Sequence, residues 1–189
     1  MEAAKALLQT NSYPKFLALV LVLSLPHVFY AIVWLRSEFF ISVCKRVKCV
    51  PINMFSGVAF GLKAIQFLCF FVWLISNGSF VSAESFSFFR ILPAALLMGA
   101  GQLLNSAVYK TLGHDGVYYG VKFGKTIPWV EGFPFNMGIK SPQYTGCILS
   151  ICGMVIFVST PDQVAAGIVP IGIIWSGFYI FSAVVEDYF

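Results

Sequence analysis

Five apolar runs set the limits on what this chain can become: Phe16–Leu35, Ile52–Ile75, Ile91–Leu112, Tyr144–Ser159 and Ala165–Val185. A helix needs about 20 apolar residues to cross the hydrocarbon of a bilayer, and every run but the fourth reaches that length. The expectation is an all-α integral membrane protein with four or five transmembrane helices, the shorter run being a crossing or a re-entrant segment. Thr160-Pro161-Asp162-Gln163 is a compact turn, so the last two runs should form a C-terminal helical hairpin. Composition excludes a soluble fold. Of 189 residues, 59% are hydrophobic and only 11% are charged, whereas an average globular domain carries about 25% charged residues. The length leaves room for a single domain, 1–189.

Lysine and arginine near the span ends set the orientation. Arg36, Lys45, Arg46 and Lys48 follow the first span, and Lys110, Lys122, Lys125 and Lys140 follow the third. The opposite side carries Lys5, Lys15 and Arg90. With five spans both basic loops face the cytosol, the N-terminus faces the lumen, and Glu186-Asp187 ends the last span on the cytosolic side. A net charge of +4, scattered along the chain, offers no stripe for nucleic acid. The odd count of five cysteines argues against a disulfide framework. Cys44 and Cys49, without partner histidines, make a poor zinc site, so no metal is expected. The first run is longer than a signal-peptide core and no cleavage site follows it, so it reads as a span. Asn77-Gly78-Ser79 is a glycosylation sequon lying against the membrane on the predicted lumenal side.

The stretch from Leu112 to Gly146 is the long polar interruption, crowded with glycine, proline, aromatic and basic residues. Phe133-Pro134-Phe135-Asn136 and Pro142-Gln143-Tyr144-Thr145-Gly146 are its specific-looking corners. Proline fixes the backbone there, and the faces of Tyr118, Tyr119 and Trp129 can stabilise a cation. The same aromatics also serve as interfacial anchors, which accounts for Trp129 at least. His114 and Asp115 open the stretch as a possible proton relay or a solvated pair. Glu186 and Asp187 sit at a helix C-terminus, where the macrodipole disfavours acids, so function competes evenly with a plain solvated end. Gly99-Ala100-Gly101 lies within a span, either to admit another helix or to admit part of a cofactor. Lys63 is an ionisable residue at mid-span depth, to be paired with a lipid phosphate or snorkelled to an interface.

Taken in order, a glycine pair in a span, a long loop ending in FPFN, P-x-Y-x-G, a helical hairpin and a terminal acidic pair resemble the small phospholipid methyltransferases of the endoplasmic reticulum. The segment YYGVKFGKTIPWVEGFPF is most similar to the plant-like branch. The resemblance runs from about Leu96 to the end, which divides the chain into N-terminal spans over 16–95 and a catalytic core over 96–189. It implies that Gly99, Ala100, Gly101, Glu186 and Asp187 bind S-adenosylmethionine. It also implies N-methylation of phosphatidylethanolamine-type lipids, the mono- and dimethyl forms, to phosphatidylcholine, with a membrane phospholipid as partner. Glu186 is then the first candidate for the base and His114 the second. Tyr118, Tyr119, Phe133, Pro134, Phe135, Asn136, Pro142 and Tyr144 would shape the substrate pocket. Here the acidic pair is Glu-Asp rather than Glu-Glu, so the second carboxylate sits one methylene further back. The rival readings are an isoprenylcysteine carboxyl methyltransferase-like enzyme and a small non-enzymatic membrane protein.

Overall fold

The computed structural model describes residues 12–127 and 130–188, so Lys5 and Trp129 lie outside the described residues. Among the described residues seven α-helices follow one another: α1 (Ser12–Leu35), α2 (Ser37–Arg46), α3 (Pro51–Ser76), α4 (Phe88–Val117), α5 (Pro142–Val158), α6 (Pro161–Ala166) and α7 (Ile168–Tyr188). No strand occurs among the described residues. Helices α1, α3, α4 and α7 are long and apolar enough to cross a membrane, and α5, with 17 residues, is the shorter apolar helix. Their outward faces are oily as well: Leu21, Phe60, Leu68, Phe89 and Ile173 are exposed. That pattern suits a bundle whose solvent is hydrocarbon, where backbone polar groups must be satisfied inside each helix.

Proline opens α3, α5 and α6 at Pro51, Pro142 and Pro161. At a helix N-terminus its missing N–H costs nothing, because that group has no intrahelical partner anyway. Thr160 caps α6 by accepting from the Gln163 backbone N–H. Two elements depart from the sequence expectation. The polar stretch after the first span is not all loop: Ser37–Arg46 forms α2, which buries Phe40 and Cys44 and carries Lys45 and Arg46 in its last turn. Cations there match the negative end of the helix dipole. The third span also continues past Leu112 to Val117, broken at Gly113 (φ 64°, ψ −175°), a conformation open to glycine.

Helix α4 packs most extensively on α5, α7 packs on α1 and α5, and α3 packs on α1. The α4–α5 seam is set by glycines. A Cβ on Gly146 would lie 2.7 Å from the Gly101 carbonyl oxygen, and one on Gly153 would lie 2.7 Å from that of Ala94. Without a hydrophobic driving force between helices in lipid, such close backbone approach is a main source of attraction. The α5–α7 pair, joined through α6, is the expected hairpin. Its turn is latched to the α3–α4 connection: Gln163 Nε2 donates to Leu74 O at 2.8 Å, Thr160 Oγ1 donates to Ser79 O, and Ser79 N donates to Asp162 Oδ2 at 3.2 Å. Asn77 of the sequon donates from Nδ2 to Trp73 O at 2.6 Å, so its amide is already engaged.

Candidate active site

At the other end of the bundle the chain brings three distant side chains to one oxygen. The hydroxyls of Tyr119 and Tyr144 both donate to Glu186 Oε1, and the two hydroxyls lie 3.5 Å apart. Each comes from a helix end. Tyr144 is in the first turn of α5, Glu186 is in the last turn of α7, and Tyr119 lies two residues past the end of α4. Tyr119 adopts a left-handed backbone (φ 58°, ψ 28°), which costs a non-glycine residue roughly 1–2 kcal/mol. Such strain persists only where the surroundings over-determine it, and it concentrates at functional positions. The surroundings here are aromatic. The Tyr119 ring stacks on Phe55 at 4.7 Å and meets Trp34 edge-on at 5.0 Å. Gly120 lets the chain turn tightly behind it, since a Cβ there would lie 2.5 Å from Asp115 O.

The carboxylates border a cavity of about 480 Å³, within the range of small-molecule sites. Trp34, Tyr119, Gln143, Tyr144, Glu186 and Asp187 are among its lining residues. An adjoining groove of about 600 Å³, walled by Ile127, Val130, Ile139 and others, shares Leu112, Gly116, Val121, Phe135 and Lys140 with it. The acidic pair is misplaced for the dipole of its own helix. Yet Ser141, Pro142, Gln143 and Tyr144, the start of α5, line the same cavity, so the positive end of that neighbour faces the acids. The two dipole effects are of similar size and opposed, so two phenols, not a helix end, hold Glu186. Asp187 is different: its Oδ2 pairs with Lys140 Nζ at 3.4 Å near the surface.

Glu186, Asp187, Tyr119, Phe135, Pro142 and Tyr144 all border this cavity. Pro134 is buried, with a cis bond from Phe133, while Phe133 and Asn136 are exposed and border neither cavity nor groove. Tyr118 lines a neighbouring cavity of about 200 Å³ together with Tyr30, Phe55, Lys63, Tyr119 and Tyr144. His114 stays outside. Its Nδ1 lies 3.3 Å from Asp115 Oδ1, both groups are exposed, and its ring rests on Tyr118 at 4.8 Å. The glycine pair is not brought to Glu186 either. Gly101 is pressed against Gly146 and Ser150 of α5, whereas Gly99 and Ala100 are exposed, with nothing within 4 Å of a Cβ on Gly99. Residues two apart on a helix do not share a face, so a single neighbour cannot use both glycines. Sequence reasoning missed Trp34, Tyr30 and Gln143 as wall residues. The signal available was the aromatic pair near the C-terminal end of the first span, which is easily absorbed into an apolar run.

A carboxylate with one oxygen fixed by two donors is pre-oriented, and its second oxygen makes no hydrogen bond among the described residues. It can accept a proton or face a cation, with aromatic rings at hand to support the cation. No group of three or more His, Cys, Asp or Glu side chains that could hold a metal occurs among the described residues.

Comparison with known proteins yields one family and one curated relative of note. Residues 89–189, from the start of α4 onward, match the family described as phospholipid methyltransferase. A curated protein of Arabidopsis thaliana, phosphatidyl-N-methylethanolamine N-methyltransferase, is 37% identical over 163 residues, covering 86% of this chain and 87% of the relative. No solved structure matches.

Proposed function

The chain belongs to the phospholipid methyltransferase family, and from that premise we propose that its Glu186 cavity methylates phosphatidylethanolamine-type lipids, the mono- and dimethyl forms, to phosphatidylcholine with S-adenosylmethionine. The observation that carries this reading is Glu186 held by Tyr119 and Tyr144 at a helix-end cavity that opens into an apolar groove. A soluble cation and a lipid amine can meet only where bilayer and water adjoin, and the basic loops beside this cavity favour its cytosolic exposure. The endoplasmic reticulum is the membrane we assign.

The donor is a sulfonium that also carries an adenine, a ribose and an amino-acid group, and the residues present offer partners for its positive charge. Glu186 and Asp187 supply negative charge, while Trp34 and Tyr119 supply aromatic faces. When bound, it supplies a methyl carbon activated by positive sulfur. The chain's own residues then do the rest. Tyr119 and Tyr144 fix Glu186 Oε1, which aims Oε2 and reduces the reorganisation needed during transfer. Glu186 takes a proton from the lipid ammonium, because only the neutral amine has a lone pair to attack with. The dimethyl form is likewise an ammonium at neutral pH and must give one proton to the base before it attacks; its product is quaternary and carries no N–H. Asp187, tied to Lys140, contributes charge at the rim rather than a fixed contact.

The test is an acceptor panel. Membranes containing the full chain receive S-adenosylmethionine labelled in its methyl group. Phosphatidylethanolamine, its mono- and dimethyl forms, and a prenylated cysteine are the acceptors. Label is expected in the phospholipids. Label confined to the prenylcysteine ester, or absent from every lipid while the protein is folded and abundant, overturns the reading.

A further inference from the structure

Lys63 is a charged side chain of the membrane-spanning helix α3 that takes no part in the Glu186 hydrogen bonds. It projects from α3 into the bundle interior, where Nζ donates to Tyr179 Oη at 2.7 Å and to Gln66 Oε1 at 3.1 Å. Gln66 is itself fixed, its Nε2 donating to Leu23 O at 2.8 Å. The ammonium lies 4.6 Å from the centre of the Tyr179 ring and 6.0 Å from that of Tyr30. An ammonium has three N–H donors, and two are used here. Its third finds no acceptor, and no carboxylate pairs with it, among the described residues. Ionisable groups inside a membrane ordinarily pair with an opposite charge or mark a substrate path. Aromatic faces soften the cost of this cation but do not neutralise it.

What Lys63 faces is the cavity of about 200 Å³ whose walls include Tyr119, Tyr144 and Gln143, and these three residues also wall the Glu186 cavity. One pair of tyrosines therefore separates a partly buried cation from a partly buried carboxylate. Depth adds a direction. Tyr179 precedes Glu186 by seven residues on α7, which is about 10 Å along a helix. The cation thus lies toward the middle of the membrane and the carboxylate toward its surface. A phospholipid in a leaflet has the same order, with its amine outermost and its phosphate on the side of the chains. Lys140 and Lys122 also lie near the site, but Lys140 is surface-exposed and paired with Asp187, and Lys122 Nζ sits over the Trp34 ring, 4.0 Å from its centre.

We propose that Lys63 is the anion-holding residue of the lipid site. Its free N–H binds the phosphodiester of the acceptor lipid in the Tyr30–Lys63–Tyr144 cavity, while the amine reaches Glu186 past Tyr119 and Tyr144. The proposal rests on the phospholipid reading above. An oxyanion could also come from the carboxylate of the methyl donor, and the test separates the two sources.

Binding is measured on the purified full chain in nanodiscs for three probes. These are phosphatidyl-N,N-dimethylethanolamine, a diacylglycerol ether bearing the same dimethylamine without phosphate, and S-adenosylhomocysteine. The parent is expected to bind the phospholipid at least tenfold more tightly than the phosphate-free amine. Lys63→Met and Lys63→Gln should erase that preference and leave S-adenosylhomocysteine affinity within twofold, while Lys63→Arg keeps most of it. A parent with no preference overturns the proposal without recourse to any variant, which covers the case of a variant that fails to fold. So does a preference that survives in Lys63→Gln, or a loss that falls on S-adenosylhomocysteine instead, which would assign the anion to the donor. A parent that shows the Lys63-dependent preference yet transfers no methyl group would sink the methyl-transfer reading and leave this one standing.

Discussion

At the α5–α6–α7 turn, polar side chains reach across to backbone: Gln163 to Leu74, Thr160 to Ser79, Arg90 to Ser159 at 2.7 Å. At the opposite end they reach for one another, with two phenols on a single carboxylate oxygen. The first arrangement satisfies orphan carbonyls at helix ends and connections, and it leaves little capacity for a ligand. The second leaves a carboxylate oxygen and, deeper in, an ammonium N–H with bonding capacity. Both ends contain buried polar groups in an oily bundle, so burial of polarity alone does not separate scaffold from site. The identity of the partner does: backbone at the latch, ionisable side chain at the cavity.

Substitutions at the two ends should therefore separate stability from activity. Glu186→Gln preserves shape and removes the basic oxygen, and it should lower methyl transfer by about 100-fold or more, with thermal unfolding little changed. The loss should be of similar size with the monomethyl and dimethyl lipids, since each ammonium must give up one proton before it attacks. Rates within twofold of the parent for both lipids would remove Glu186 from the chemistry. Tyr119→Phe or Tyr144→Phe deletes one donor to a charged acceptor, worth about 1.5–3 kcal/mol, so kcat/KM should fall about tenfold or more. Single-variant kinetics beside the double variant would show whether the phenols act as a unit. At the latch, Gln163→Leu strands the Leu74 carbonyl and should cost about 1–3 kcal/mol of stability. Its activity per folded molecule should match the parent; a selective loss of activity instead would erase the contrast between the ends. Smallest of all should be Asp187→Asn, because an exposed pair with Lys140 is worth about 0–1 kcal/mol. A threefold rise in KM for the donor is the most expected, and a larger rise would make Asp187 an equal of Glu186.

The crossings were legible because hydropathy reports length and greasiness directly, and the hairpin followed from one four-residue turn. The acidic pair and the tyrosines stood out because polar groups at the edge of a bilayer are few. Rotation about each helix axis was not legible. In lipid the outer face is as apolar as the inner, so no moment distinguishes Gly99, turned outward, from Gly101, locked against Gly146. For the same reason Trp34 and Tyr30 were hidden within the first apolar run. Helix α2 escaped notice because its ten residues are too few to signal a span and its charges resemble a loop. His114 shows the converse: it adjoins the polar stretch in sequence yet lines neither the Glu186 cavity nor the groove beside it.

The oxygen on which Tyr119 and Tyr144 converge belongs to α7, which follows every other contributor in the chain. Synthesis proceeds from the N-terminus, so the wall of the cavity can assemble while its acceptor is still on the ribosome. Until the last helix enters the bundle the two phenols have nothing to grip. A chain arrested or cut before α7 would hold most of the cavity wall and lack the carboxylate proposed as its base. Entry of α7 into the bundle is thus the step that brings the carboxylate to the two phenols.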